Sequence, residues 1–476
     1  MQKPNSFHPK SRFNIGLFAL ITSLLAGCGG GTGDTTGSGA ATYKVGGFII
    51  GLDTPNAKTI DLQLTVPSTP AEVLTVNANG TFTFVNKVNN GASYQLSITQ
   101  PTGQNCTFTY GAGSVINADV TNMNVICGPA AVGSFVANTA LMPTPVNANA
   151  TTLLPNGKVL VIDNGMTAQN TTPQLYDPAT DTWSATGTMP FAFDMGLTST
   201  LLPNGKVLVV GPSGNSNGPG PAQLYDYVTN TWVAAPSSPT FHNRHTATLL
   251  PDGTVLVAGG GSGGLGSVDA EIYTPSNTGG SWASVGSMIK IRGGHNATVL
   301  QNGMVLMTGE TTTLTNNPEQ SELYNPVSKT FNVPQSTGII RSGARATMLS
   351  DGRVLLAGGQ DMTGPVAGVE IYNPTTNSWT ISGGTRTTAL SGSTFTLLPS
   401  GKVLAAGGTQ GAGGCMCGLN TAELFDPVTG TWTATGNMVV GRSGAAATLL
   451  PNGKVLFTGG YQDSNAWTTA NTELYW

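Results

Sequence analysis

Thr151-Thr152-Leu153-Leu154-Pro155-Asn156-Gly157-Lys158-Val159-Leu160-Val161 is a pair of short apolar runs on either side of an Asn-Gly turn, and close copies of it return as far as the C-terminus. Aligned on the turn glycine, the copies fall at Gly157, Gly205, Gly253, Gly303, Gly352, Gly401 and Gly453, at intervals of 48, 48, 50, 49, 49 and 52 residues. A repeat near fifty residues is the length of one four-stranded unit in a radial β array. Asn-Gly or Asp-Gly at the turn predicts a type I′ hairpin, whose twist matches that of the flanking strands.

Each copy carries two further strands. A glycine pair follows the hairpin in several units (Gly259-Gly260, Gly358-Gly359, Gly407-Gly408, Gly459-Gly460), and a loop rich in Gly, Ser, Thr and Asn comes next. A third strand then reads Ala270-Glu271-Ile272-Tyr273 or Ala422-Glu423-Leu424-Phe425 and closes in a proline turn such as Asp177-Pro178 or Asp426-Pro427. The fourth strand holds a large aromatic: Trp183, Trp232, Trp282, Phe331, Trp379 and Trp432.

Glycine pair, Glu-Leu-Tyr-Asp-Pro and Thr-Trp in that order resemble the kelch motif of galactose-oxidase-like β-propellers. The resemblance covers residues 132–476 and implies an all-β fold, a seven-bladed kelch β-propeller, on a scaffold that serves both enzymes and binding platforms. The last unit stops at its third strand, Glu473-Leu474-Tyr475-Trp476, whereas Gly133-Ser134-Phe135-Val136-Ala137 reads like Gly430-Thr431-Trp432-Thr433-Ala434. The segment around Phe135 is therefore expected to supply the outer strand of blade seven and close the ring, which removes exposed sheet edges.

The N-terminus reads as an address. Lys3, Lys10 and Arg12 precede an apolar run from Phe13 to Leu25 that is short for a membrane span, and the run ends in Leu25-Ala26-Gly27-Cys28. That ending resembles a bacterial lipobox, which implies residues 1–27 as signal peptide, lipidation at Cys28 and, with Gly29 rather than Asp next, an outer-membrane lipoprotein of the cell envelope. On that resemblance residues 28–42 are expected to serve as a flexible tether. Loss of the three leader cations shifts the net charge from −4 to −7, and no basic cluster remains. That balance argues against nucleic acid as a partner, and the membrane is expected to be reached through the lipid.

Residues 43–128 alternate short strands with turn signals and predict a small β-sandwich of seven strands, resembling immunoglobulin-like or carboxypeptidase-regulatory-like domains. Cys106 and Cys127, both in strand-like segments, are expected to form a disulfide outside the cytoplasm, closing a loop worth about 3 kcal/mol. Cys415-Met416-Cys417 admits a tight disulfide, a redox pair or half a metal site.

The loops between second and third strands, and between one blade and the next, share one face, where a carbohydrate or protein ligand is expected. Arg292, Arg341 and Arg442 lie eleven residues before the turn glycine; their forks suit a ligand carboxylate or phosphate, or a bridge between adjacent blades. The recurring Glu271, Glu322, Glu370, Glu423 and Glu473, replaced by Gln174 and Gln223, read as structural. Asp163 and Glu310 stand where other blades have glycine, and Asp194 where three have arginine, a carboxylate set suited to Ca²⁺ or acid/base work on a sugar. Tyr461 and Trp467 suit stacking on a sugar or packing on a protein.

The galactose oxidase resemblance implies copper held by two histidines and two tyrosines, one joined to a cysteine. After the leader only His242, His245 and His295 remain, and six of the eight tyrosines beyond residue 132 belong to the repeat. His245 and His295 share a register eight residues before the turn glycine, which reads either as a two-ligand site for zinc or copper or as structural hydrogen bonding to neighbouring backbone. The reading of the whole is a lipid-anchored surface binding protein, with an oxidase or other carbohydrate-active enzyme on the same propeller as the alternative.

Overall fold

The computed structural model describes residues 41–476 except 53–58, 100, 102–103, 110, 116–118, 130–132, 147–148, 164–170, 194–195, 213–218, 262–265, 278, 310–320, 334–336, 340, 362–363, 383, 385, 387–389, 411–416 and 463–468. Every named element among the described residues is a β-strand.

From Phe135 onward the described strands include seven four-stranded antiparallel sheets. The third is representative: Thr246–Leu249, Val255–Ala258, Ala270–Thr274 and Ser281–Ser284, each paired with the next. Its second strand, Val-Leu-Val-Ala, is buried at all four positions, as are its counterparts in sheets two and four to seven, while that of sheet one, Val159–Asp163, is buried up to its half-buried last residue. A strand with neighbours on both edges and both faces has no solvent side, which is why these runs do not alternate.

Among the described residues, hydrophobic cores lie between successive sheets. Leu160, Ile162, Val207 and Val209 join the first to the second, and so on round to Val159, Val161, Leu450 and Leu456, which join the seventh to the first. The innermost strands likewise neighbour one another in order, and Ala446–Leu449 returns to Asn149–Leu153. The ring is closed by Phe135–Ala137, which pairs with Glu473–Tyr475 in the register Phe135↔Tyr475. Phe135 thus takes the tryptophan's place, its ring 4.8 Å from that of Tyr475, against 4.8–5.2 Å for the six other third-strand and outer-strand aromatic pairs.

The hairpin turn differs from the sequence expectation. Gly157 has φ 81°, but Asn156 is not in the left-handed region that a type I′ turn requires of it. The Gly157 N–H instead donates to Leu154 C=O at 2.9 Å, and Leu154 N–H to Lys158 C=O at 2.8 Å, the three-residue hairpin with a glycine bulge. Pro155 starts the turn one residue early, and Asn156 Oδ1 accepts from Lys158 N–H at 3.1 Å.

Residues 42–129 form two packed four-stranded sheets around a core of Ile49, Leu62, Phe84, Leu96 and Val125. The second sheet gains an edge strand, Ala112–Ser114, that lacks the apolar alternation on which sequence reading depends. Cys106 and Cys127 stand opposite each other on adjacent strands and are joined by a disulfide. Gly51 and Gly113 lie against the carbonyls of Pro451 and Gln301, so the sandwich touches hairpin turns of the seventh and fourth sheets. Those turns lie at the end of the strands opposite the second-to-third loops.

The third-strand tyrosine and the turn after it co-vary. Tyr176 donates to Asp181, Tyr225 to Asn230 and Tyr372 to Asn377, each acceptor five residues on and held at positive φ. Sheet six drops both partners, with Phe425 and Gly430. In sheet four the turn residue is Lys329, φ 56°, and the buried Tyr324 hydroxyl has no partner among the described residues. Lys329→Asn is therefore expected to raise stability by about 1 kcal/mol in thermal unfolding. By the same measure Tyr324→Phe should be near neutral, whereas Tyr225→Phe costs about 1 kcal/mol.

Candidate functional site

The loop-face end of the inner strands is built on a buried carboxylate in most of the sheets. Glu322, on the third strand of sheet four, accepts Arg292 Nε at 3.0 Å and the backbone N–H groups of Ile289 and Lys290 at 2.6 and 3.0 Å. Arg292 Nη1 donates to Gly309 C=O at 2.7 Å. Sheet seven repeats this with Glu473, Arg442, Val439, Val440 and Gly459, and sheet five with Glu370, Arg341 and Gly358. In sheet three His242 fills the arginine register, its Nδ1 2.8 Å from Gly259 O and its Nε2 3.3 Å from Glu271.

Sequence reading missed a further member. Arg386 stands fifteen rather than eleven residues before its turn glycine, yet its Nε reaches Glu423 at 3.0 Å. Leu390, buried, holds the usual register there.

Where the cation is lost, the carboxylate is lost as well. Sheet one has Val146 in the arginine register and Gln174 in the glutamate register, and the amide bonds both ways to Thr144, accepting at 3.1 Å and donating at 3.0 Å. Gln223 does the same with Phe191. A buried glutamate without its cation is costly, and the isosteric amide avoids that cost.

The forks of Arg292, Arg341 and Arg442 bond the carboxylates of Glu322, Glu370 and Glu473 and the loop carbonyls of Gly309, Gly358 and Gly459. They are at most 3 % exposed and turn back to the glutamate of the sheet they lead into. Their main chain spans the blades: Arg292 C=O accepts Gly260 N–H at 2.8 Å and Arg442 C=O accepts Gly408 N–H at 2.7 Å. Burial lowers Arg442 and Arg386 and raises Glu370 against the pull of Arg341.

His245 and His295 are buried, and each Nε2 meets a threonine hydroxyl on the preceding sheet, Thr198 at 2.8 Å and Thr246 at 3.0 Å. The partner is thus a side chain and not the expected backbone. Both Nδ1 atoms are buried without a partner among the described residues. Burial holds both imidazoles neutral, His295 down to about 3 and His245 well below the usual range, with nearby His242 adding to the latter shift.

One residue before these histidines runs a ring of left-handed backbone. Gly196, Gly294, Gly343, Gly392 and Gly444 have φ of 94°, 71°, 64°, 70° and 69°, and the sixth described member is Arg244 at 61°. The members are hydrogen-bonded from sheet to sheet: Arg244 N–H to Gly196 C=O at 3.3 Å, Gly294 N–H to Arg244 C=O at 2.7 Å, Gly444 N–H to Gly392 C=O at 2.9 Å. An arginine there costs about 1 kcal/mol that glycine avoids. Its side chain is exposed, and no partner for the guanidinium occurs among the described residues. The signal was present in the sequence as glycine nine residues before the turn in five units and arginine in one.

Of the other candidates, Asp163 ends the second strand of sheet one, half-buried opposite Asn149. Tyr461 bridges to Ser443, and its ring edge lies 3.8 Å from where a Cβ on Gly444 would stand. Arg345, exposed, follows the ring in sheet five. Cys417 is disulfide-bonded. Asp194, Glu310, Trp467, Cys415 and Cys28 lie outside the described residues.

The copper set implied by the galactose oxidase likeness does not fit the described residues. His242, His245 and His295 each have a ring nitrogen bonded to a structural partner, and the hydroxyls of Tyr225, Tyr273 and Tyr372 are bonded to the turns that follow them. No group of three or more metal-ligating side chains occurs among the described residues.

The fold is an all-β propeller-like array of four-stranded sheets, and part of it carries the kelch motif. The kelch motif matches residues 344–383 and 399–439, which fall on sheets five and six. A solved fungal alcohol oxidase of the AA5 family, in complex with copper, is similar in fold with a TM-score of 0.58 and 18% identity, over 72% of this chain and 75% of its own. The structure of YjhT aligns at 0.47 and 16%, over 62% of this chain and 99% of its own. No curated protein matches the sequence.

The two depressed histidines set a pH dependence. In the unfolded chain each takes up a proton below about 6.5, whereas the folded protein resists it down to about 3 for His295. Their contribution to stability is therefore fully present above about pH 6.5 and is lost as pH falls, by up to about 1.4 kcal/mol per pH unit for each histidine. Replacing both with serine, the residue sheet six carries there, should flatten the acid limb of a stability–pH curve by that amount.

Proposed function

We propose that this protein is a lipid-anchored envelope protein whose propeller binds a carbohydrate or protein ligand on its loop face. The lipobox-like Leu25-Ala26-Gly27-Cys28 supports acylation at Cys28, and residues 29–41 supply the tether. The sandwich, an immunoglobulin-like spacer on this reading, carries the propeller away from an outer membrane.

The observation that carries the binding reading is the division of labour at the ring. Repeated cations and histidines are committed to buried partners, while Arg244 alone among the described ring members extends a side chain to solvent. Recurrent groups build the scaffold, and the departure from the repeat is free to meet a ligand. The same accounting counts against the oxidase alternative, because His242, His245 and His295 each have a ring nitrogen bonded to a structural partner.

The test is direct. Full-length protein made in a bacterial host with labelled palmitate should take up label, and Cys28→Ser should abolish the uptake. On a glycan array the detergent-solubilised protein should bind a restricted glycan class without turnover. Copper retained through dialysis together with oxidation of an alcohol substrate would reverse the reading in favour of the enzyme.

A further inference from the structure

Within the ring, Arg244 is the one described position at which a left-handed backbone carries a side chain, and that side chain is a cation facing solvent. Strained backbone of this kind persists where the surroundings hold it and a function uses it. Structure does not need this arginine: its main-chain bonds to Gly196 and Gly294 are of the kind that Gly444 makes to Gly392. Of the described carboxylates in its own sheet, Glu271 is bonded to Ser238, Thr240 and His242, and Asp269 to Ser267.

Across the ring, in sheet seven, the half-buried Tyr461 lies beside Gly444. The other described ring members are glycines. A guanidinium fork on one side and an aromatic ring on the other is a pairing that takes a pyranose bearing a carboxylate.

We infer that the loop-face ring is a binding site for an acidic sugar, with Arg244 receiving the carboxylate and Tyr461 the sugar face. This rests on the carbohydrate-binding reading above and names the ligand class within it. The protein's own charge of −7 after the leader makes a dedicated cation the more necessary for an anionic ligand.

Calorimetric titration of the full chain with a galacturonate oligomer and with its methyl ester tests this. The wild type should bind the acid at least ten-fold more tightly than the ester, and salt should weaken only the acid. Arg244→Gly, which restores the residue used elsewhere in the ring, should lose that preference while its melting temperature holds or rises. Tyr461→Ala should weaken acid and ester alike. Equal binding of acid and ester by the wild type, or a preference that survives in Arg244→Gly, would overturn the acidic-sugar site and leave the carbohydrate reading standing. A fall in the melting temperature of Arg244→Gly would make Arg244 structural and overturn it also. No glycan bound at all would remove both.

Discussion

A carboxylate with no exposure, fixed on the third strand of a sheet, is the constraint from which the rest of this architecture follows. Desolvating that charge is expensive, so it must collect a cation and backbone donors, and the groups within reach are those of the segment arriving from the previous sheet. The segment is thereby pinned where the inner strand starts. Its carbonyl is then positioned to accept from the preceding sheet's glycine pair, so one buried charge fixes both a blade and its junction.

The hydrophobic cores do something different. They lie between sheets and supply non-directional cohesion, at roughly 25 cal/mol per Å² of apolar surface removed from water. Such packing favours any stack of wedges of about the right size; the clamps and the closing Phe135 strand specify which strand begins where. The ring of left-handed residues sits immediately after the clamps, and so fixes the backbone from which the Arg244 side chain extends.

Much of this was legible in the residues themselves. Turn glycines and paired aromatics recur because each sheet solves the same packing problem, so Phe135 could be matched to tryptophan from the repeat alone. The arginine register was visible, but its partner was not, because a glutamate some thirty residues away is brought close only by the sheet's third strand. Arg386 escaped because it stands four residues further from its turn glycine than the others, so register alone does not find it. Arg244 escaped for a different reason: register alone does not reveal that glycine is there for its positive φ, and only the backbone angle marks the arginine as an exception.

The co-variation of the two registers gives the sharpest test. Sheet one carries valine and glutamine where sheet seven carries Arg442 and Glu473. In equilibrium unfolding, Arg442→Val and Glu473→Gln alone are each expected to destabilise strongly, Arg442→Val by about 3–5 kcal/mol because it leaves an unpaired buried charge. The double variant should recover most of that loss, giving a coupling of at least about 2 kcal/mol. Losses that simply add would contradict the clamp as the element on which the ring depends.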